Sequence, residues 1–290
     1  MPELPEVESI RKQLERFLEG HRILSVEVRN RRIFQGNEKD IIGAKFTGFR
    51  RFGKVTVLDL SNKKSLMIHV KMTGQIIYKG PNLFPDRPLS NKVVGGVPGI
   101  HTHVIFNLDR KAKLYYNDLR RFGWIKVVNT SDVETTDLVG KMGPEPHFAG
   151  SYAGQALLTP DYFKEILSKT KRSIKVVIMD QAKIGGIGNI YANDALHLAG
   201  INPTRPASSL SKAEQVKLFS AIHKVLKQGM KYGGSSENSF VTPDGGEGKY
   251  QGHTLVYGKD GQLCGKCKKN KILKNMQGGR GTYFCPACQS

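Results

Sequence analysis

Apolar positions along the chain change period twice. Over residues 5–19, Val7, Ile10, Leu14, Phe17 and Leu18 recur at helical spacing, with Pro5 suited to a first helical turn and Gly20 closing the run. This spacing predicts an amphipathic helix packed against a sheet. From Ile23 to about Val128 the period shortens to β-rich runs (VTVLDL, SLMIHV, HTHVIFNL, GWIKVV) separated by Gly, Pro, Asn and Lys clusters, which predicts an antiparallel sandwich or barrel. The polar stretch 79–99 reads as a long loop between two strands, and MGPEPHFAGSY at 142–152 has the Pro and Gly density of an interdomain linker. Beyond it, DYFKEILSKT, SIKVVIMDQ, NIYANDALHLAG and KAEQVKLFSAIHKVLKQGMKYG return to the helical period and predict a small all-helical domain. The Gly- and Ser-rich stretch 233–250 reads as a mobile loop ahead of a terminal cysteine module. The expected class is α+β and multidomain, without internal repeats.

Length and charge narrow the function. A chain of 290 residues holds two domains, or two and a small appendage. Forty-five Lys and Arg against twenty-five Asp and Glu leave a net charge of +20, with a pI of 9.8, and such a surface draws in a polyanion before any contact forms. Nucleic acid is the first partner to test. A membrane is set aside, because the apolar runs fall well short of the roughly 18 residues a span requires. Charges at Glu3, Glu6, Glu8, Arg11, Lys12, Glu15, Arg16 and Glu19 leave no uncharged signal core, so a cytoplasmic location is expected. In that reducing compartment, cysteines at the chain's end point to metal before disulfides.

Five stretches are candidates for chemistry. Cys264-x2-Cys267 and Cys285-x2-Cys288, seventeen residues apart, have the spacing at which two knuckles bring four thiolates to one tetrahedral zinc ion; four protein ligands leave no open position, so the expected role is structural. AKIGGIGN between two helices presents backbone N–H groups to an anion, with Asn189 as the expected helix N-cap, although such a turn is more often only a turn. DLRRFG at 118–123 sets guanidiniums beside an aromatic, a pairing that suits base-edge reading and wedging but equally suits a solvated Arg pair beside a core Phe. HVKMTG at 69–74 offers a His for phosphate and a Met for a vacated stack, where a core Met on a strand is the commoner reading. Removal of Met1 before the small Pro2 would expose a secondary amine with a pKa near ~8. Attack of such an amine on a deoxyribose C1′ would expel the base and leave an iminium, with Glu3 placed to shuttle protons, although many chains begin Met-Pro for no chemical reason.

Taken in order, MPELPEVE, RRFGK, HVKMTG, NDLRRFG, MGPEP, GIGNIYAND with ALHLAGINP, and GGRGTYFCPACQ resemble the formamidopyrimidine-DNA glycosylase (Fpg/Nei) family nearly end to end. The resemblance implies an N-terminal helix with a β-sandwich (1–135), a linker (136–151), a helix-two-turn-helix domain (152–235), and a lesion-recognition loop with a zinc-finger hairpin (236–290), with DNA between the lobes. By position it implies Pro2 as Schiff-base nucleophile, Glu3 as general acid/base, Lys54 at the lesion nucleotide and Arg280 at the flanking phosphates. His69, His101, Lys171, Lys175 and Asn189 fall where the family holds phosphates, and Met72, Arg120 and Phe122 where it fills the gap left by an extruded base, as flipping requires. The partner implied is damaged double-stranded DNA, bound by a monomer. The chain departs from the family at Lys71, where Gly is usual, at Leu119, where Pro is frequent, and in longer 79–99 and inter-cysteine segments. The endonuclease VIII branch, acting on oxidised pyrimidines, is the nearest alternative; a non-catalytic zinc-finger DNA-binding protein is the alternative of another class.

Overall fold

The computed structural model describes residues 1–81, 83, 88–146 and 156–290. Helix α1 (Leu4–Leu18) forms where the spacing places it, with Pro5 in its first turn. Its buried side chains, among them Leu4, Val7, Ile10, Leu14 and Phe17, lie against β3 (Phe46–Phe52), β4 (Val55–Leu60) and β6 (Gly74–Lys79), and the Phe17 ring stacks on Tyr78 at 4.9 Å. Each such side chain contributes about 1.5–3 kcal/mol of burial, so Leu14→Ala alone would cost about 2–5 kcal/mol.

Two sheets form the rest of this layer system. The first runs β1 (Ile23–Val28), β7 (Thr102–Leu108), β8 (Lys113–Asp118), β6, all antiparallel. The second runs β2 (Phe34–Gln35), β9 (Trp124–Asn129), β5 (Lys64–His69), β4, β3, antiparallel except for the β2–β9 pair. VTVLDL is buried at five of its six positions because both of its faces are covered, which is why it reads as an apolar run and not as an alternation. The sandwich ends at a short helix, α2 (Asp137–Gly140).

The second helical zone holds α3 (Pro160–Ser168), α4 (Ile174–Ile178), α5 (Asn189–Ala199) and α6 (Lys212–Lys231), followed by a hairpin of β10 (Leu273–Gln277) and β11 (Arg280–Phe284). Buried polar side chains on α5 dock the C-terminal module: Asn193 Oδ1 accepts from Tyr283 N–H at 2.8 Å, and Asp194 Oδ1 from Val256 N–H at 3.0 Å. Among the described residues, no helix is long and apolar enough to cross a membrane.

The chain separates into two compact units, Met1–Gly140 with Tyr232–Gln251, and Lys141–Lys231 with Gly252–Ser290. This differs from the sequence-based partition at two points. Residues 232–251, divided there between the helical domain and the cysteine module, belong with the sandwich, because Tyr78 N–H donates to the Pro243 carbonyl (2.8 Å) and Asp244 N–H to Gln13 Oε1 (3.0 Å). The MGPEP stretch is no free tether: Gly143 N–H donates to the Gln181 carbonyl (2.9 Å) and Gly185 N–H to the Pro144 carbonyl (3.1 Å), so it is laid down on the turn before α5. The rest of the expected linker, 147–151, lies outside the described residues, as do 82 and 84–87 of the 79–99 loop.

Candidate active site and candidate metal centre

The N-terminus of the first unit is fixed by a carboxylate. Pro2 is buried, and Glu3 and Glu6 are 3% and 1% exposed. Glu6 stands three residues after the residue that caps α1, where its Oε2 accepts the Glu3 N–H at 2.7 Å. Its Oε1 accepts the Ser235 N–H, also at 2.7 Å, so one side chain holds residue 3 and the start of the 232–251 loop together. Gly234 makes this approach possible: its φ is +87°, and a Cβ there would stand 2.7 Å from Glu6 Cγ. Sequence reading passed over Glu6, although the Glu-x-x-Glu spacing at a helix start was its signal.

A second network supports the β3–β4 turn. Glu8 bonds Arg11 through Oε1 (3.0 Å) and Arg51 through Oε2 (3.1 Å), and Arg51 also donates to the Gly53 carbonyl at 3.0 Å. Lys54, next to Gly53, is 6% exposed. Its charge is felt by His69, whose pKa burial drives down to about 3, with Lys71 and Lys54 adding to the effect. Lys71 N–H donates to His69 Nδ1 at 3.0 Å, and since a backbone N–H can only donate, the neutral ring carries its proton on Nε2. His69 thus presents an N–H donor and no cation across physiological pH.

Met72 lies in the turn between β5 and β6, half-buried and outside the core, which departs from the commoner expectation for a Met in such a run. Arg120 and Phe122 lie in the turn between β8 and β9. Phe122 is 55% exposed, so it is no core Phe, and the Arg120 guanidinium sits 4.8 Å from its ring centroid. Asp118, fully buried, ties the two turns: its Oδ1 accepts from Thr73 Oγ1 (2.5 Å) and Arg120 N–H (3.1 Å), and its Oδ2 from Gly123 N–H (2.8 Å). Arg120 N–H also donates to Thr73 Oγ1 at 2.9 Å. The structure therefore brings Met72, Arg120 and Phe122 onto one edge of the sandwich. His101 joins that edge through its carbonyl, which accepts Asp118 N–H at 2.9 Å, while its buried Nδ1 has no partner among the described residues.

In the second unit, the turn before α5 is stapled by Gln181. Its Nε2 donates to the Met179 (2.8 Å) and Ile187 (2.7 Å) carbonyls, and its Oε1 accepts the Gly186 N–H (3.0 Å). Asn189 is not the N-cap but the first helical residue, because the Gly188 carbonyl already accepts the Ala192 N–H at 3.0 Å. Lys171 is exposed ahead of α4. Lys175 departs from expectation: it is fully buried, and its Nζ donates to the Gly281 carbonyl (2.8 Å) and to Thr282 Oγ1 (2.7 Å) of β11. It holds the hairpin and does not face solvent. Arg280 is exposed at the hairpin's end, after a two-residue turn in which Gly278 and Gly279 have φ of +55° and +71°.

The four cysteine sulfurs lie within 4.8 Å of one another, with Cys264–Cys288 at 3.9 Å and Cys267–Cys285 at 3.8 Å. Zinc–sulfur bonds of about 2.3 Å in a tetrahedron set sulfurs about 3.8 Å apart, so this cluster can hold a metal ion of that kind. The backbone N–H groups of Asn270 and then Lys269 hold the Cys267 thiol down to about 6, which favours the thiolate a metal needs.

Residues 1–125 match the formamidopyrimidine-DNA glycosylase N-terminal domain and residues 142–241 the formamidopyrimidine-DNA glycosylase H2TH domain. The chain is 35% identical to the formamidopyrimidine-DNA glycosylase of Pelotomaculum thermopropionicum and 36% identical to that of Streptococcus mutans, in each case over 100% of this chain and 99% of the relative. Among solved structures, Lactococcus lactis Fpg in complex with abasic-site DNA superposes with a TM-score of 0.84 at 31% identity over 99% of both chains. A mutant of that protein with Fapy-dG DNA gives 0.84 and 31% over 100% of both. Full-length likeness in sequence and fold, joined to a fixed N-terminus and a four-cysteine cluster, leads to one conclusion: the chain belongs to the formamidopyrimidine-DNA glycosylase family of DNA-repair enzymes.

Proposed function

We propose that the protein is a bifunctional glycosylase and abasic-site lyase that excises oxidised purines, 8-oxoguanine and formamidopyrimidines, from double-stranded DNA. The observation that supports this best is the Glu6 carboxylate, which fixes the backbone at Glu3 against the loop that begins at Ser235. Such a clamp holds the nucleophile in one orientation, which is where most of the advantage of an intramolecular amine resides.

The chemistry runs on Pro2 once Met1 is removed. The amine attacks C1′ of an extruded nucleotide, the C1′–N bond breaks with protonation of the departing base, and ring opening leaves an iminium. The iminium acidifies the C2′ proton, and its removal expels the 3′ phosphate, with a second elimination at the 5′ side. Glu3 shuttles the protons. Lys54 steadies the lesion nucleotide and Arg280 the phosphates beside it. Met72, Arg120 and Phe122 occupy the space the nucleotide leaves, and Phe122 is exposed enough to wedge. His69, His101, Lys171 and Asn189 hold phosphates, His69 as a neutral Nε2–H donor; Lys175 we now assign to the hairpin. One zinc ion on Cys264, Cys267, Cys285 and Cys288 supplies folding and no chemistry, because its coordination is closed by protein.

The test is borohydride trapping on a duplex with one 8-oxoguanine opposite cytosine. A covalent adduct that maps to the Pro2 peptide, and is lost in Pro2→Gly, is expected. Trapping only on an oxidised-pyrimidine duplex would select the endonuclease VIII alternative. Binding without an adduct on any lesion, from protein that mass spectrometry shows to lack Met1, would overturn the enzymatic reading.

A further inference from the structure

Within the 79–99 stretch, residues 88–97 lie against the 235–247 loop of the same unit. Lys92 Nζ donates to the Ser236 carbonyl and, at 2.8 Å, to Glu247 Oε2. One ammonium thereby ties the two stems of the loop. Ser90 reinforces the second stem, its Oγ donating to Glu247 Oε1 at 2.5 Å and its N–H to the Gly245 carbonyl at 2.8 Å. Gln75 acts as the spacer: its Nε2 donates to the carbonyls of Ser239 (2.6 Å) and Lys92 (2.7 Å), while its Oε1 accepts the Val94 N–H (3.0 Å). Beneath these bonds Leu89, Val93 and Val97 pack with Ile77, Tyr115 and Val241. Gly245 admits the segment, since a Cβ there would fall 2.2 Å from Leu89 Cδ2.

A Gly- and Ser-rich loop of this length ordinarily takes on order only when a ligand arrives, because fixing each residue costs conformational entropy. Here the carbonyls of Ser236, Ser239 and Gly245 are already taken by donors from elsewhere in the unit. We propose that residues 88–97 form a clasp that pre-orders the 236–247 loop, and that Lys92 is the positioning residue through which the clasp governs which extruded bases the loop accepts. The inference rests on the proposed function for its substrate and on the geometry above for its structure. A pre-ordered loop closes over a base it fits without the entropic cost and adapts poorly to one it does not, so the clasp raises discrimination among damaged bases.

The experiment compares wild type, Lys92→Met and Lys92→Arg as full-length protein. Hydrogen exchange is read over 236–247, single-turnover excision is measured on 8-oxoguanine and on a formamidopyrimidine, and cleavage of a preformed abasic site, which presents no base to the loop, serves as reference. Lys92→Met is expected to speed exchange in 236–247 by about 10- to 100-fold while the β-sandwich amides keep their protection. It is also expected to lower base excision about tenfold relative to abasic-site cleavage and to change the ratio between the two lesions. Lys92→Arg, which keeps a cation in reach of both stems, restores each. Unchanged exchange in Lys92→Met overturns the clasp, and so does an equal fall in excision and abasic cleavage. Absence of both activities in wild type would instead sink the proposed function, and the exchange arm would still decide the clasp.

Discussion

Replacing Lys175 with Met separates two roles that a lysine in a DNA-binding unit can play. The side chain is fully buried, and its Nζ bonds the Gly281 carbonyl and the Thr282 hydroxyl, the two residues that follow Arg280. Methionine keeps the unbranched stem and removes the donor. A hydrogen bond from a charged group contributes about 1.5–3 kcal/mol, and a buried acceptor left without a partner costs about 1–3 kcal/mol, while relief of the buried ammonium's desolvation offsets part of the loss. The net cost to hairpin docking should be about 2–4 kcal/mol, so amide exchange over 273–284 should rise by about 30-fold or more in Lys175→Met. A lysine that neutralised a phosphate would behave differently: its loss would lower the slope of log K against log salt by about 0.9 without loosening the hairpin. Lys171→Met, at an exposed position, is the variant expected to change the slope in that way. If Lys175→Met lost the slope while hairpin exchange stayed at the wild-type rate, the buried-anchor reasoning would be refuted.

Four further outcomes follow from the same geometry. Glu6→Gln leaves one acceptor oxygen where two N–H groups are bound, and should cost about 1–3 kcal/mol by urea denaturation and slow borohydride trapping at Pro2. His69 resists protonation in the folded chain until about 3, whereas the unfolded chain takes a proton near ~6.5; the unfolded state therefore binds more protons between those values, and stability is lost as pH falls through that window, by at most about 1.4 kcal/mol per unit. His69→Gln should flatten the slope of stability between pH 6 and 4, and an unaltered slope would assign the acid loss to other groups. Asp118→Ala removes the acceptor of three donors and should cost about 2–4 kcal/mol, with slower base excision than abasic-site cleavage, read by melting and by single-turnover kinetics. Cys267→Ser should release the metal and expose the β10–β11 hairpin to protease while β-sandwich amides stay protected, with metal content measured by atomic absorption.

Much of the fold was legible because its elements are amphipathic or fully covered. Helix α1 announces itself by the spacing of Val7, Ile10 and Leu14, and the cysteine module by its knuckles. What stayed hidden depends on pairing across long stretches of chain or on a charged side chain turned inward. Lys175 reads as a surface cation, yet it stands in IKVVI, where Ile174, Val177 and Ile178 are fully buried, so a lysine in a short apolar run was the available signal. Asn189 reads as a cap because cap and first-turn residues look alike in sequence, and only the Gly188 carbonyl distinguishes them. Nothing in residues 88–97 taken alone points to 235–247, since Lys92 and Ser236 lie 144 positions apart. The apolar residues Leu89, Val93 and Val97, set in a stretch that otherwise looks like a polar loop, are the trace that such packing leaves.

Beside the Glu8–Arg51 and Lys92–Glu247 ion pairs, several loops at the candidate site are ordered by buried groups turned onto the peptide. Glu6 and Asp118, 1% and 0% exposed, are spent on backbone N–H groups, and Gln75 and Gln181 hold loop carbonyls and amides in the same manner. In a chain of forty-five cations and twenty-five acids this choice matters electrostatically. A carboxylate that orders a loop by pairing with a surface lysine also cancels a charge that a polyanion would meet. One turned inward onto peptide dipoles orders the loop and leaves the cation free, and interactions with N–H groups are as strong as those with an exposed ion pair or stronger. Rigid loops and a net charge of +20 are therefore compatible here, and the arrangement predicts where acidic substitutions will be tolerated. Exchanging Asp118 should damage loop order at unchanged salt dependence, whereas adding a carboxylate beside exposed Lys171 should weaken DNA binding and lower its salt slope with loop order intact. Measurement of both quantities on the same variants would expose the argument as wrong if order and salt slope always moved together.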